Sequence, residues 1–210
     1  MTITPTLRHL VMPVSLAAVW SLVLATGTGW VDRWILLEAN LSGHPQLRSV
    51  ATAVTQFGGW VLLTALTAGA AAILVLRRRY QDAALAIAAI LAGRLLVELQ
   101  KLAIERTRPD AMFRLVDVDS FSFPSGHAAN SMITYLTLAI VLASAGKWRR
   151  YALATAFLLS LVVGLTRIML GVHWPTDVVA GWAFGLLWVV LIRRGASFSG
   201  RPKLIDNPIV

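Results

Sequence analysis

The stretch "FPSGHAANSMITYLTLAIVLA", residues 123–143, decides how this chain folds, because it joins a polar turn to a long apolar run. A helix that crosses about 30 Å of hydrocarbon needs about 20 such residues, and the run from Gly126 onward nearly supplies them. A Pro-Ser-Gly-His turn at the mouth of that run is harder to insert into lipid than Leu or Ala. The turn therefore requires an explanation beyond membrane insertion.

The rest of the chain is as apolar as this stretch. Of its 210 residues, 57% are hydrophobic and only 14% are charged, and the mean hydropathy is +0.71. This composition is far more apolar than that of soluble domains and indicates an integral membrane protein. Because the chain has no cysteine, its chemistry must come from His, Ser, Lys, Arg and carboxylate side chains.

Six windows of the sequence are long and apolar enough, or nearly so, to cross a bilayer as helices. They are residues 10–30, 58–76, 83–105, 126–143, 151–171 and 176–192. The third window is the least uniformly apolar of the six, because the charged residues Arg94, Glu98 and Lys101 lie inside it. We predict an all-α polytopic membrane protein with six transmembrane helices, forming one domain over residues 1–210 without repeats or linkers.

The basic residues predict how the chain is oriented in the membrane. If the six helices alternate in direction, the basic connections share one face, which the positive-inside rule makes cytoplasmic together with both termini. These connections contain Arg8, residues 77–79, 147–150 and 193–194, Arg201 and Lys203. We therefore attribute the net charge of +9 to orientation in the plasma membrane and predict no nucleic-acid partner.

The opposite, extracytoplasmic face receives three connections, residues 31–57, 106–125 and 172–175. Within the first of them, "VDRWILLEANL" has apolar residues at helical spacing. This pattern predicts a short helix that lies along the membrane surface.

Three polar clusters reach this extracytoplasmic face: "KLAIERTRP" (101–109), "PSGH" (124–127) and "TRIMLGVHWPTD" (166–177). Taken singly, most of their residues have an ordinary explanation. Basic residues near a span end can extend to the lipid headgroups, a serine can cap a helix, and a carboxylate suits a helix N-terminus. Arg167 is harder to explain, because it lies about one turn inside a span and needs an anion or a water-filled cavity.

Taken together, the clusters predict a site for a multiply charged anion. Lys101, Arg108 and Arg167 would repel one another in a low dielectric unless an anion lies between them. Guanidinium groups match phosphate oxygens bidentately, while Gly126 permits close backbone approach at a helix N-terminus. We therefore interpret "PSGH" as a phosphate cradle. A divalent metal held by two histidines and Asp177 is the rival, but the neighbouring cations disfavour it, so we predict no metal.

The three clusters together resemble the signature of the type 2 phosphatidic acid phosphatase family, which shares its site with vanadium-dependent haloperoxidases. The upstream "VDRW" and "TQFGGW" also look similar to bacterial members. Thr166 stands where the family usually has Ser, but a hydroxyl is retained. The matching residues are Lys101-x6-Arg108-Pro109, Pro124-Ser125-Gly126-His127 and Arg167-x5-His173-x3-Asp177.

The resemblance implies a six-helix membrane core, with a motif region at about residues 94–192, that hydrolyses phosphoesters through a phosphohistidine without metal or cofactor. It makes His173 the nucleophile, Asp177 its orienting partner, and His127 the acid that protonates the leaving oxygen. These roles are chemically sound, because a nucleophilic imidazole needs its other nitrogen held in the right tautomer. The phosphoryl oxygens would be bound by Lys101, Arg108, Ser125, Gly126 and Arg167.

The leading hypothesis is a membrane phosphatase for a lipid phosphate or diphosphate, with candidates such as undecaprenyl diphosphate, phosphatidylglycerophosphate and phosphatidic acid. A lipid phosphotransferase using the same site, and a lipid-phosphate binding or transport protein, are the alternatives. The motifs specify neither the headgroup nor the oligomeric state. For Arg94 and Glu98, four residues apart on one helix, we predict a structural ion pair buried between helices.

Overall fold

The computed structural model describes residues 5–143 and 146–198, and within these ranges every regular element is helical. The all-α class predicted from the sequence is therefore confirmed, whereas Arg201 and Lys203 lie outside the described residues. Two short 3-10 segments, Gln56–Gly58 and Ala111–Phe113, lie between α-helices in these ranges. The α-helices in these ranges are α1 (Pro5–Thr26), α2 (Trp30–Ala39), α3 (Pro45–Thr55), α4 (Trp60–Leu76), α5 (Tyr80–Ile104), α6 (Gly126–Leu142), α7 (Lys147–Met169) and α8 (Pro175–Phe198).

Each predicted span falls on one helix, but the helices differ in how well they suit a bilayer. Among the described residues, α7 and the Pro175–Gly195 part of α8 are long and apolar enough to cross one alone. Two bent pairs, α1 with α2 at 92° and α3 with α4 at 41°, raise this number to four if each pair counts as one span. Helix α6 is apolar but has only 17 residues, and α5 contains several charged residues. The six predicted spans therefore stay a prediction.

Helix α6 is the centre of the bundle and packs against α5, α7 and α8. Its contact with α8 is unusually close because α8 presents glycines. A Cβ at Gly181 would lie 2.7 Å from the Ser125 carbonyl oxygen, and one at Gly185 would lie 2.9 Å from that of Ala129. Small residues allow such backbone approach between helices in membrane proteins. As a result the Ser125 N–H donates a hydrogen bond to the Asp177 carbonyl, which joins the beginnings of both helices.

The predicted connection at residues 31–57 contains two helices rather than one. Helix α2 matches the short amphipathic helix expected from its spacing and runs nearly perpendicular to α1. Its buried Asp32 accepts hydrogen bonds from the Thr176 backbone N–H at 3.0 Å and the Thr176 hydroxyl at 2.5 Å. A carboxylate is favourable there because it faces the positive end of α8. Helix α3, which the sequence analysis did not anticipate, begins at Pro45 and packs on α7.

The link between α7 and α8 is short and tied to the connection that precedes α6. Gly171 has a φ of +70°, a left-handed conformation that glycine adopts without strain. The Leu115 N–H donates to the Leu170 carbonyl at 2.9 Å, and the Trp174 indole donates to the Thr107 carbonyl at 3.0 Å. These bonds hold the α7–α8 link against the α5–α6 loop, so the polar clusters of both segments meet at one end of the bundle.

Candidate active site

A cavity of about 450 Å³ lies at this end of the bundle and continues between α4 and α5. The two predicted site residues that do not line it, Ser125 and Asp177, are fully buried beside it. The three polar clusters of the sequence predict one site, and the structure brings residues from all three together. The predicted site residues that line the cavity are Lys101, Arg108, Gly126, His127, Arg167 and His173.

The two ring nitrogens of His173 face different surroundings. Its Nε2 lies 3.2 Å from the Arg108 Nη1, which also donates to the Val172 carbonyl at 2.6 Å. Its Nδ1 lies 3.4 Å from the Ser122 hydroxyl and 3.6 Å from the Asp177 carboxylate. Burial, and then the charge of Arg108, lower the pKa of His173 well below its usual value. The imidazole is therefore neutral at neutral pH, with Nε2 directed to the cationic side.

Asp177 contacts His173 less directly than the sequence suggested. A separation of 3.6 Å between Nδ1 and Oδ2 is longer than a hydrogen bond. The Ser122 hydroxyl lies beside both groups and donates to the Asp177 Oδ2 at 2.5 Å. The carboxylate also accepts the Trp174 backbone N–H at 3.0 Å. Ser122, which the sequence analysis missed, is therefore part of the contact between acid and imidazole.

Arg106 is a second residue that the sequence analysis missed. Its Nη1 lies 3.0 Å from the Asp177 Oδ1, and its Nη2 donates to the Leu24 carbonyl at 2.9 Å near the end of α1. The guanidinium also lies 4.3 Å from the centre of the Phe123 ring. Arg106 thus compensates the buried carboxylate from the side opposite His173. Its presence in "KLAIERTRP" was the available signal, but spacing alone does not tell which arginine of that motif faces the cavity.

Lys101 and Arg108 are both anchored on Ser120. The Lys101 ammonium lies 3.1 Å from the Ser120 hydroxyl, and Arg108 donates to the Ser120 carbonyl at 2.6 Å and its hydroxyl at 3.1 Å. Burial lowers the pKa of Arg108 to about 10, so its guanidinium remains charged at neutral pH. A Cβ at Gly126 would lie 3.3 Å from the Lys101 Nζ, so glycine leaves the space beside the ammonium open.

Arg167 and Ser125 present polar atoms that have no protein partner in the described part of the chain. The Arg167 Nη1 donates to the Thr55 hydroxyl at 3.1 Å, but its buried Nε is unpaired. The Ser125 hydroxyl is also buried and unpaired, and it makes no capping bond to α6. Buried polar groups usually have a partner, so such atoms mark a place where a polar ligand can bind. Because the Ser125 N–H is engaged by Asp177, an anion at this end of α6 would bind the amides that follow it in the first turn of the helix.

The predicted ion pair between Arg94 and Glu98 is wrong. Glu98 instead lies 3.4 Å from the Lys101 ammonium, and the Arg94 Nη1 lies 3.4 Å from the Thr64 hydroxyl. Both charged side chains line the cavity rather than being buried between helices. The i, i+4 spacing permitted the pair, but Lys101 competes for the carboxylate from the next turn of the same helix.

Comparisons with known proteins show which family the chain belongs to. The sequence model of the PAP2 superfamily matches residues 82–201. Phosphatidylglycerophosphatase B of Bacillus subtilis (strain 168) is 34% identical over 166 residues, covering 77% of this chain and 81% of that protein. A decaprenylphosphoryl-5-phosphoribose phosphatase of Mycobacterium tuberculosis is 30% identical over 164 residues, covering 75% of this chain and 85% of that protein.

Two solved structures are similar in fold. A transmembrane PAP2 type phosphatidylglycerolphosphate phosphatase from Bacillus subtilis superimposes with a TM-score of 0.82 at 32% identity, covering 90% of this chain and 98% of that one. LpxE of Aquifex aeolicus gives a TM-score of 0.62 at 23% identity, covering 80% and 97%, which is a likeness of fold alone. The resemblance drawn from the three motifs is therefore confirmed. This chain belongs to the PAP2 superfamily, is similar to a transmembrane member of it, and is a phosphatase that hydrolyses phosphate esters.

Proposed function

We propose that the protein is an integral-membrane, metal-independent phosphatase that removes the terminal phosphate of a lipid phosphate or diphosphate. It acts at the extracytoplasmic face, as a single domain with six spans. The observation that carries the proposal is the position of His173, whose Nε2 lies 3.2 Å from Arg108 in a cavity that Lys101, His127 and Arg167 also line. The names of the relatives, which describe phosphatases of lipid phosphates, support the substrate class.

In the first chemical step, the neutral Nε2 of His173 attacks phosphorus. A P–N bond forms while the bond between phosphorus and the lipid oxygen breaks. The Nδ1 proton is held towards Ser122 and Asp177, which keeps Nε2 unprotonated and stabilises the imidazolium as it forms. His127 gives its proton to the departing oxygen.

Charge on the phosphoryl oxygens is stabilised from several sides during this step. Lys101, Arg108 and Arg167 supply fixed positive charge, as phosphoryl transfer requires. The unpaired Ser125 hydroxyl and the first amides of α6 complete the cradle. In the second step water attacks the phosphohistidine, so that a P–O bond forms while the P–N bond to His173 breaks and phosphate leaves. His127, now neutral, accepts the proton from that water.

The apolar part of the cavity explains why such chemistry takes place beside a membrane. Below the cations the cavity is walled by aliphatic side chains of α4 and α5, including Leu63, Ile87, Ile90 and Leu91. A lipid tail can lie between these two helices while its phosphate reaches the polar end. Packing of the tail between these helices would position the headgroup at the polar end.

The decisive experiment measures phosphate release from a lipid phosphate by purified protein in detergent with excess chelator. We expect unchanged turnover under chelation and a loss of at least about a thousandfold in His173→Ala, because the nucleophile is removed. Release of free phosphate without an added acceptor favours hydrolysis over transfer. Loss of turnover with chelator, or full activity of His173→Ala, contradicts the mechanism.

A further inference from the structure

The cavity contains two cationic positions at different depths along α5. Arg94, Glu98 and Lys101 lie on one face of this helix, at positions i, i+4 and i+7, and all three line the cavity. Lys101 belongs to the phosphate site described above, but that site does not use Arg94. Two cations on one wall of a single cavity suggest a ligand with two anionic groups.

The contacts of the two side chains keep their charged ends apart. Arg94 and Lys101 are seven residues apart, which corresponds to about 10 Å of helix rise. The Lys101 ammonium is held by Ser120 in the α5–α6 loop. The Arg94 guanidinium is held by Thr64, one turn into α4 from its start at Trp60. Because α4 and α5 form an antiparallel hairpin, this contact is deeper in the bundle than the α5–α6 loop.

Arg94 has no carboxylate partner at its own depth. Among residues 5–143 and 146–198, no Asp or Glu oxygen lies within 4 Å of its guanidinium, and Glu98 contacts Lys101 instead. An arginine in an apolar cavity of a membrane protein is costly unless an anion or water meets it. A guanidinium fork is suited to a phosphate group of the ligand.

Glu98 lies between the two cations and supplies a different kind of contact. Its side chain is 51% exposed, and it lies 3.4 Å from the Lys101 ammonium. A carboxylate accepts hydrogen bonds from hydroxyl groups and repels phosphate. Along α5 the wall of the cavity therefore presents a cation, then a hydrogen-bond acceptor, then a second cation.

We propose that Arg94 binds a second anion of the substrate, a phosphodiester joined to the terminal phosphate by a short hydroxylated spacer whose hydroxyl donates to Glu98. The proposal rests on the lipid phosphatase function above and specifies its substrate class. A lipid monophosphate has no second anion for Arg94. A diphosphate has two phosphorus atoms bridged by one oxygen, which is too short to reach from Lys101 to the level of Thr64.

The test compares two lipids with identical acyl chains in mixed micelles. Phosphatidylglycerophosphate carries both phosphates around a glycerol, whereas phosphatidic acid carries one. In Arg94→Met we expect KM for the first lipid to rise about tenfold, the effect of losing one charged contact worth about 1.4 kcal/mol. KM for the second lipid should stay within about twofold, and kcat should be unchanged on both, since Arg94 is remote from the reacting atoms.

Matched variants keep this test decisive. Arg94→Lys should retain part of the preference because it keeps the charge. Leu95→Met changes the neighbouring side chain, which is 60% exposed and does not line the cavity. It should leave KM and kcat for both lipids unchanged. Turnover of phosphatidic acid by the same preparation reports folding, and Arg94→Gln replaces Arg94→Met if that variant is unstable.

Equal changes in KM for the two lipids, or no change for phosphatidylglycerophosphate, would overturn the second-anion site. Failure of the general function has a different signature. In that case the wild type releases no phosphate from either lipid, or His173→Ala remains active. If the wild type is active and His173→Ala is inactive, but Arg94→Met changes KM equally for the two lipids or not at all, only the role of Arg94 is rejected.

Discussion

At the scale of single residues, the proposed mechanism depends on what each nitrogen of His173 faces. Nε2 faces Arg108 and the cavity, whereas Nδ1 faces Ser122 and Asp177. Asp177 is in turn compensated by Arg106. The imidazole is therefore oriented through a small buried network rather than by one carboxylate, and each member of such a network affects the others.

This network predicts that Ser122→Ala lowers kcat. Removing the hydroxyl leaves Nδ1 without its nearest partner and deprives Asp177 of a hydrogen bond at 2.5 Å. We expect a decrease of about tenfold or more in kcat, which corresponds to about 1.4 kcal/mol of transition-state stabilisation, with little change in KM. Initial rates over a range of lipid phosphate concentrations measure both constants.

Ser131→Ala is the matched control for this variant. Ser131 is also buried, but its hydroxyl bonds to the Ala128 carbonyl within α6 and does not touch the network. Its kcat should remain within about twofold of the wild type, the usual result for a substitution remote from the chemistry. If Ser122→Ala matched Ser131→Ala, Ser122 would have no part in orienting the nucleophile.

At the scale of elements, the site depends on how closely α8 approaches α6. Gly181 and Gly185 bring the α8 backbone against the carbonyls of Ser125 and Ala129. This contact brings the beginnings of the two helices together, with His173 just before one and the proposed phosphate cradle at the other. The geometry of the active site is thus a consequence of helix packing by small residues.

We predict that Gly181→Ala destabilises the protein and reduces its activity. The added Cβ would lie 2.7 Å from the Ser125 carbonyl oxygen and 3.0 Å from the Ala128 Cβ, so the two helices must separate. Overpacking of this kind costs about 1–3 kcal/mol, which lowers Tm by several degrees in a protein of this size. Thermal unfolding in detergent measures the change.

Gly69→Ala in α4 is the matched control, because a Cβ there meets nothing within 4 Å. Alanine is the better helix former by about 1 kcal/mol, so this variant should be as stable as the wild type or more so. A Gly181→Ala protein with the Tm of Gly69→Ala would show that the close approach of α8 is not needed.

At the scale of the whole molecule, the polar side chains of the candidate site lie at one end of the bundle, and the basic connections lie at the other. The site lies where α5 and α7 end and where α6 and α8 begin. The basic residues at 77–79 and 147–150 belong to the opposite ends of those helices. The positive-inside rule then predicts an extracytoplasmic site.

The absence of cysteine from the chain makes this orientation directly testable. Gly43→Cys introduces a thiol in an exposed loop near the site end, where a side chain meets nothing within 4 Å. We expect it to react with a membrane-impermeant maleimide in intact cells. Arg77→Cys, in the exposed turn after α4, should react only after the membrane is permeabilised. The reverse pattern of labelling would contradict the proposed sidedness.

Much of the fold and site was predictable because the relevant patterns are local. Apolar windows bounded by polar residues located the helices α1 and α4 to α8. The three motifs contain the predicted site residues that the structure brings together at the cavity, but they do not contain Ser120, Ser122 or the residues of α4 that also surround it. Helix α3 was missed, because its apolar residues do not form a long run and its partner is the distant α7. Its Thr55 contacts Arg167, 112 residues away in the sequence.

The sequence by itself determined the class of protein, the positions of most helices and the residue types of the proposed phosphate site, because hydrophobic period, helix-start signals and motif spacing are properties of neighbouring residues. Only the tertiary structure decided the partners of those residues. It directs Arg106 to Asp177 and Arg108 to His173, inserts Ser122 beside the acid and the imidazole, and separates Arg94 from Glu98. The physical reason is that a buried charge takes the partner that packing brings nearest, and packing joins segments far apart in the chain.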